Sequence, residues 1–214
     1  MGGGLRFALG GRSGAAESGR LELLASSAYM LGRDDAYVDA WELAYHSHLS
    51  AGDPARAARC TWWIGDYLRF RGDSARATGW FARGHRLLDQ VQEDCVAHGY
   101  LLMPVLHGHV SAGDHEAARA LAVNAGEISE RFGDHDLIAL ALMEEGHALV
   151  RQGRVAEGLR LVDETMVAVT TEEPSPVIAG IVYCTTIAFC QSVFELARAR
   201  EWTQAHTEAE PSPS

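Results

Sequence analysis

Residues Ala58–Gly84 read ARCTWWIGDYLRFRGDSARATGWFARG, and this stretch carries the clearest indication of the fold. Glycine suits the left-handed position after a helix, and the aspartate that follows it in Gly72-Asp73 can cap the next helix. Small residues on helix faces let two helices approach closely, and a larger apolar residue fills the space between them. Such residues recur at helical spacing at Gly65, Ala77, Phe81 and Gly84. The stretch therefore predicts two antiparallel helices joined by a tight turn.

The same turn signal recurs along the chain. A glycine followed by a polar residue occurs at Gly32, Gly52, Gly72, Gly113, Gly133 and Gly153. Successive members are 20, 20, 41, 20 and 20 residues apart, and the missing one falls near Glu93-Asp94. Each unit is interpreted as one helix and its stop, with Phe194 as a further equivalent turn. Two units make a hairpin of about 40 residues, a period typical of helical solenoids.

The pattern predicts an all-α fold, a right-handed stack of about five antiparallel helical hairpins that forms an α-solenoid. We assign residues 1–16 to a disordered Gly-rich N-terminus, 17–207 to the helical repeat domain and 208–214 to a polar disordered tail. The predicted helices run near residues 17–31, 34–50, 54–71, 74–91, 95–112, 115–131, 135–152, 155–170, 176–194 and 196–207. Ala77 and Phe81, with Gly65, Gly146 and Gly158, are expected at helix–helix contacts.

Charge and cysteine usage narrow the function classes. The net charge is −11, which argues against general electrostatic binding of nucleic acid, and all 18 basic residues are arginine. The four cysteines form no C-x-x-C pair, so the sequence supports no zinc site of that type. We expect free, mostly buried thiols, with Cys184 and Cys190 in the core, and a cytoplasmic protein without a secretory signal.

One segment is apolar enough to be considered as a membrane-spanning helix. Residues 174–194 carry no charge, and the nearly continuous apolar run extends from Val177 to Cys190. A spanning helix needs about 20 predominantly apolar residues, which is more than this run provides. The segment is therefore interpreted as a buried repeat helix, and no membrane partner is expected.

Candidate chemistry is sparse. Glu144 and His147 place a carboxylate and an imidazole at i,i+3, but di-metal bundles use that spacing twice and no second E-x-x-H occurs. Asp134 and Asp136 lie where a helix starts, and capping is the simpler interpretation. No nucleophile-and-base arrangement or phosphate-binding loop is evident. The sequence predicts no enzyme, no cofactor and no metal site.

The stretch around Gly65 and Gly72 resembles the tetratricopeptide repeat, and Gly146, Gly153 and Gly158 carry a second, partial match. The resemblance implies that the first helix of each hairpin lines a concave face that binds a protein or peptide. Carried over to this chain, the binding face comprises Arg59, Trp62, Asp66, Arg69, Tyr100, Met103, His107, Val110, Leu140, Met143, His147 and Val150. These members are spaced by 3 or 4 within each helix, so each row lies on one helix face.

A broader resemblance covers most of the chain. The strings DPARAARCTWWIGDYL at 53–68, ATGWFARGHRLLD at 77–89, SPVIAGIVYC at 175–184 and the whole of residues 130–170 resemble the repeat regions of bacterial LuxR-type transcriptional regulators and related signalling ATPases. No LuxR-type DNA-reading helix pair or Walker motif is present in this sequence. The resemblance implies a sensory or interaction module, and leaves open that the chain is a fragment of a larger regulator.

Two function classes follow. The leading hypothesis is a non-enzymatic protein-interaction or regulatory scaffold module without direct nucleic acid binding. The alternative is a domain that senses a small effector in the concave groove. The uncharged helix at 176–194 also predicts self-association through the C-terminal helices, by an exposed apolar patch around Ile181, Ile187, Val193 and Trp202.

Overall fold

The computed structural model describes residues 4–171 and 173–209, with side chains from 17 to 171 and from 173 to 205. These residues form helices and connecting turns, with no strand in the described ranges, so the predicted all-α class is confirmed. The helices are α1 (Gly4–Met30), α2 (Asp34–Ser50), α3 (Pro54–Phe70), α4 (Ser74–Leu88), α5 (Val96–Ala112), α6 (His115–Phe132), α7 (His135–Arg151), α8 (Val155–Thr170), α9 (Pro176–Ser192) and α10 (Leu196–Ala209).

The glycines that signalled turns all adopt the left-handed conformation. Their φ angles lie between 62° and 85°, at Gly32, Gly52, Gly72, Gly113, Gly133 and Gly153. In each turn the N–H of the next residue donates to a carbonyl five residues earlier, as from Asp73 to Leu68 at 2.9 Å. This bond satisfies a carbonyl at the helix end that has no partner inside the helix. The prediction that these glycines terminate helices is confirmed.

Phe194 takes the place of glycine in the last of these turns. Its φ is 63°, and the N–H of Glu195 donates to the Cys190 carbonyl at 2.9 Å, which reproduces the glycine turns. A left-handed conformation costs an L-residue about 1–2 kcal/mol, so the repeat geometry is kept here at the expense of local strain. The Phe194 side chain is 85% exposed. The sequence assignment of Phe194 as an equivalent turn is confirmed.

Aspartates cap the helices that follow four of the glycine turns. A side-chain oxygen of each accepts a hydrogen bond from the backbone N–H three residues later, at 2.9 to 3.3 Å, at Asp53, Asp73, Asp114 and Asp134. Arg33 and Arg154, at the corresponding position before α2 and α8, make no side-chain cap. Each aspartate cap is worth about 1 kcal/mol, so these four helix starts are specified locally.

The chain divides at Pro104 into two compact units, residues 1–104 (unit 1) and 105–214 (unit 2). In unit 1, α2 packs against α1 and α3, and α4 packs against α3. Its core is aromatic: Trp41 stacks on Trp63 with ring centroids 5.3 Å apart, and Trp62 lies 4.7 Å from Tyr100. In unit 2, α7 packs against α6 and α8, α9 contacts both α7 and α8, and α10 contacts α8 and α9. Within each unit, neighbouring helices thus pack in chain order.

Small residues mark the closest helix approaches, as predicted. A Cβ built on Gly65 would lie 2.8 Å from Phe81 Cδ1, and one built on Gly146 would lie 2.9 Å from the Gly158 carbonyl oxygen. Ala77 is buried on α4. The first pair joins α3 to α4 and the second joins α7 to α8, so the small–large pattern of the sequence does locate helix–helix contacts.

Ala77→Leu is expected to lower the free energy of unfolding by about 1–3 kcal/mol, because three added carbons must enter a filled site. Ala75→Leu is the matched control, since Ala75 is exposed on the same helix. Urea denaturation followed by circular dichroism measures both. A variant at position 77 that unfolds at the midpoint of the Ala75 variant would contradict the packing assignment.

Four expectations differ from the structure. Helix α1 begins at Gly4, so residues 4–16 are helical, whereas the prediction assigned them to a disordered N-terminus and began the first helix at residue 17. Helix α4 ends at Leu88 and not at residue 91, because residues 89–95 form a turn and loop. Cys184 is exposed, so its assignment to the core is wrong, whereas Cys190 is buried. Helix α10 extends to Ala209, two residues into the predicted polar tail, and residues 210–214 of that tail lie outside the described part of the chain.

The predicted apolar patch near the C-terminus is half-buried in all four members, Ile181, Ile187, Val193 and Trp202. The indole N–H of Trp202 donates to Asp163 at 3.3 Å, which ties α10 to α8. Self-association through this region stays a prediction. None of the described helices is long and apolar enough to cross a membrane, which agrees with the interpretation of α9.

Candidate functional site

The residues predicted to line a binding face are mostly buried. Eight of the twelve are buried, namely Trp62, Asp66, Tyr100, Met103, Leu140, Met143, His147 and Val150, and four are half-buried, namely Arg59, Arg69, His107 and Val110. In this conformation the apolar members are buried, except Val110, which is half-buried. Their role in binding a partner stays a prediction.

The polar members of that set are engaged in local contacts. Arg69 donates from Nε and Nη2 to Asp66 Oδ1, at 3.0 and 2.7 Å, along α3. Arg59 Nη2 donates to Glu22 Oε2 of α1 at 3.2 Å. His107 Nε2 and Glu144 Oε1, on α5 and α7, are 3.0 Å apart. Each pair holds a polar side chain of the predicted face in place, either along one helix or between two helices.

His147 is a buried histidine in the core of unit 2. Its ring stacks on Phe189 of α9 with centroids 3.8 Å apart, and its Nε2 has no hydrogen-bond partner among the described residues. Burial lowers the pKa of His147 to about 4; the Glu144 carboxylate raises it in part, and the charges of Arg151 and His107 lower it further. The imidazole is therefore neutral at pH 7. Within the E-x-x-H pair, Glu144 contacts His107 and His147 packs against Phe189.

A groove of about 540 Å³ opens on unit 2 between α6, α7 and α8. Its apolar lining is built from small or medium side chains, at Ala122, Gly126, Ile138, Ala141, Leu142 and the exposed Val167. Ala122 and Ala141 are buried. A Cβ built on Gly126 would lie 3.8 Å from the Ala141 Cβ, an ordinary contact distance. The groove exists because α6 and α7 present small residues to each other where larger ones would fill the space.

Five carboxylates line the same groove, at Glu127, Glu130, Glu145, Glu164 and Glu173. Four are exposed and Glu145 is half-buried, so they stand at the mouth above the apolar wall. Arg119 donates to Glu145 at 3.0 Å, and Arg160 donates to Glu164 at 3.3 Å. The other three have no ion-pair partner within the described ranges. The groove therefore combines an apolar wall with a negative mouth.

Sequence reasoning missed this groove. It followed the first helix of each hairpin, whereas the groove is lined by the second helices α6 and α8 as well as by α7. A signal was present, because Glu127 and Glu130 are spaced by three on α6 and lie beside the small residues Ala122 and Gly126. Helical spacing does not give the distance between α6 and α8, which are not neighbours in the chain.

Comparison with known proteins adds no family. No protein-family model matches this sequence, and no curated protein matches it.

Proposed function

We propose that this chain is a non-enzymatic protein-interaction module, a tetratricopeptide-like stack of helical hairpins whose unit 2 binds a basic amphipathic helix in the acidic groove. The groove carries the proposal, because an apolar wall below unpaired carboxylates matches a helix with one apolar and one cationic face. The roughly 40-residue hairpin period and the packing of helices in chain order support the solenoid part of the proposal.

The resemblance to LuxR-type regulators supplies a proposed context. In it, the module serves as a regulatory scaffold that engages a protein or peptide, and DNA contact is left to other proteins or domains. The net charge of −11 agrees with this division, because a basic face is needed to neutralise phosphates.

The test uses a synthetic, fluorescently labelled helix with leucine at i, i+3, i+4 and i+7 and lysine on the opposite face. Fluorescence anisotropy measures its binding to the full chain. A scrambled peptide of the same composition keeps the charge and loses the apolar face, and is expected to bind at least about 10-fold more weakly. Equal binding of the two peptides would show charge attraction alone, and would overturn the proposal.

Two variants locate the site. Replacing Glu127 and Glu130 together by glutamine is expected to weaken the amphipathic peptide about 10-fold at low salt, since each exposed charge contributes up to about 1 kcal/mol. The charge-matched control replaces Glu157 and Glu201, which are exposed outside the groove. Equal losses in the two double variants would place binding elsewhere.

Gly126→Leu fills the groove without a backbone clash, because the nearest atom to a new Cβ is 3.8 Å away. It is expected to abolish peptide binding while the thermal unfolding midpoint stays within a few degrees.

A groove of this volume lined by carboxylates would also accept a small polycation. Spermidine is therefore titrated in parallel, and spermidine binding without peptide binding would favour the effector-sensing alternative.

A further inference from the structure

Three potential metal ligands converge in unit 1. They are Glu22 on α1, His48 on α2 and Cys60 on α3, and one ligand atom from each lies within 4.8 Å of the other two. His48 is 2% exposed and Cys60 is 1% exposed, whereas 24% of the Glu22 side chain is exposed. Two donors thus lie in the core, and the third lies between the core and solvent. The cluster is in a different unit from the acidic groove, so the two sites are independent.

The three types of ligand indicate which metal the cluster would bind. Thiolate, imidazole and carboxylate are the three ligand types that zinc takes in proteins, whereas calcium and magnesium require oxygen ligands. Three protein ligands leave a fourth tetrahedral position for water or another ligand. The partly exposed Glu22 provides a side from which the ion can enter.

The three ligand atoms lie within 4.8 Å of one another and must shift by up to about 1 Å to reach the geometry of a bound zinc ion. Ligand atoms in a tetrahedral zinc shell lie roughly 3.3–3.6 Å apart, given bonds of about 2.0–2.3 Å. His48 Nε2 and Glu22 Oε1 are 2.8 Å apart, so an ion between them requires a separation larger by about 0.5 Å. The long Glu22 side chain can make that shift by rotamer adjustment without moving a helix.

A neighbouring side chain orients the carboxylate. Arg59 Nη2 donates to Glu22 Oε2 at 3.2 Å, which leaves Oε1 on the side of His48. Hydrogen bonds from outside the ligand set commonly fix metal-binding carboxylates in this way.

We propose that Glu22, His48 and Cys60 form a site for a zinc-class divalent ion that links α1, α2 and α3. Cys60 binds as the thiolate and its proton passes to solvent. His48 binds through Nε2, so the Nε2 hydrogen that it donates to Glu22 in this structure passes to solvent while Nδ1 takes up a proton. The ion would join the three helices at a point where the sequence places its ligands on separate helices. Hydrogen bonds among Glu22, His48 and Arg59 already link these three helices, and the ion would add Cys60 to that link.

Cobalt titration of the chelator-treated full chain tests the proposal. We expect one equivalent of Co²⁺ to produce a near-ultraviolet thiolate-to-cobalt band and visible bands of tetrahedral intensity, which Zn²⁺ then removes by displacement. Cys60→Ser is expected to abolish the thiolate band. The matched control is Cys184→Ser, because Cys184 is an exposed thiol in unit 2 and its loss should leave the band unchanged.

A second variant tests the site without substituting a buried residue, which could itself cause misfolding. Glu22→Gln changes the least buried ligand and is expected to weaken Co²⁺ binding at least about 100-fold, more than loss of an orienting contact usually costs. Circular dichroism checks that both unit 1 variants keep their helices. Absence of the bands in the unmodified chain, persistence of the thiolate band in Cys60→Ser, or its loss in Cys184→Ser would each overturn the proposal.

Discussion

Gly158→Ala is expected to lower the free energy of unfolding by about 2–3 kcal/mol, even though alanine favours helix by about 1 kcal/mol over glycine. A Cβ at this position would lie 2.5 Å from the Gly146 carbonyl oxygen and 2.8 Å from the Val150 backbone nitrogen. Backbone atoms cannot move by changing rotamer, so α7 and α8 must separate. Urea denaturation followed by circular dichroism measures the loss.

Gly180→Ala is the matched control for this substitution. Gly180 lies in α9 of the same unit, and a Cβ built there meets nothing within 4 Å. Only the helix propensity then changes, so this variant should be more stable by up to about 1 kcal/mol. Gly146→Ala should be milder than Gly158→Ala, because its closest contact is 2.9 Å. A Gly158 variant as stable as the Gly180 variant would refute the close approach of α7 and α8.

The buried imidazole of His147 is expected to make stability fall as the pH drops from about 6.5 to about 4. In the folded chain its pKa is about 4, against an ordinary value of 6.5, chiefly because burial disfavours the charged form. Between these values the unfolded chain binds a proton that the folded chain excludes, so acid favours unfolding. The group's share of the loss between pH 7 and pH 4.5 is about 2 kcal/mol.

The measurement compares urea denaturation at pH 7 and pH 4.5 for the unmodified chain and for His147→Gln, which cannot titrate in this window. The pH-dependent loss should be smaller in His147→Gln by about 2 kcal/mol. His135→Gln is the control, because His135 is exposed at the start of the same helix. If His147→Gln and His135→Gln lose equal stability on acidification, the buried neutral imidazole is not the cause.

The helix boundaries were predictable because their signals are local. A glycine that must adopt positive φ and an aspartate that accepts a hydrogen bond from the backbone N–H three residues later both act within one turn, as at Gly72 and Asp73. Even Phe194, which lacks the glycine signal, was assigned by its place in the repeat and adopts φ of 63°. The main exceptions were the start of α1, which lies 13 residues before the predicted one, and the end of α4, where the turn carries no glycine and the loop begins three residues early.

The candidate sites were less predictable. Spacing showed which residues share a helix face, and it placed Trp62 and His147 on faces that were expected to bind a partner. It did not show how many neighbouring helices cover each face, and both side chains are buried. The acidic groove depends on the width between α6 and α8. The cluster of Glu22, His48 and Cys60 joins three helices, and no short motif marks it.

The sequence by itself determined the all-α class, the turns and nearly all helix ends, because each depends on the conformational preference of a few adjacent residues. It also located the close contacts of Gly65 and of Gly146 with Gly158, since a missing side chain marks where backbones approach. Only the tertiary structure decided which faces are covered, where the groove opens and which polar side chains meet. Those properties depend on distances between helices that are far apart in the chain, and helical periodicity specifies a face but not the neighbour that covers it.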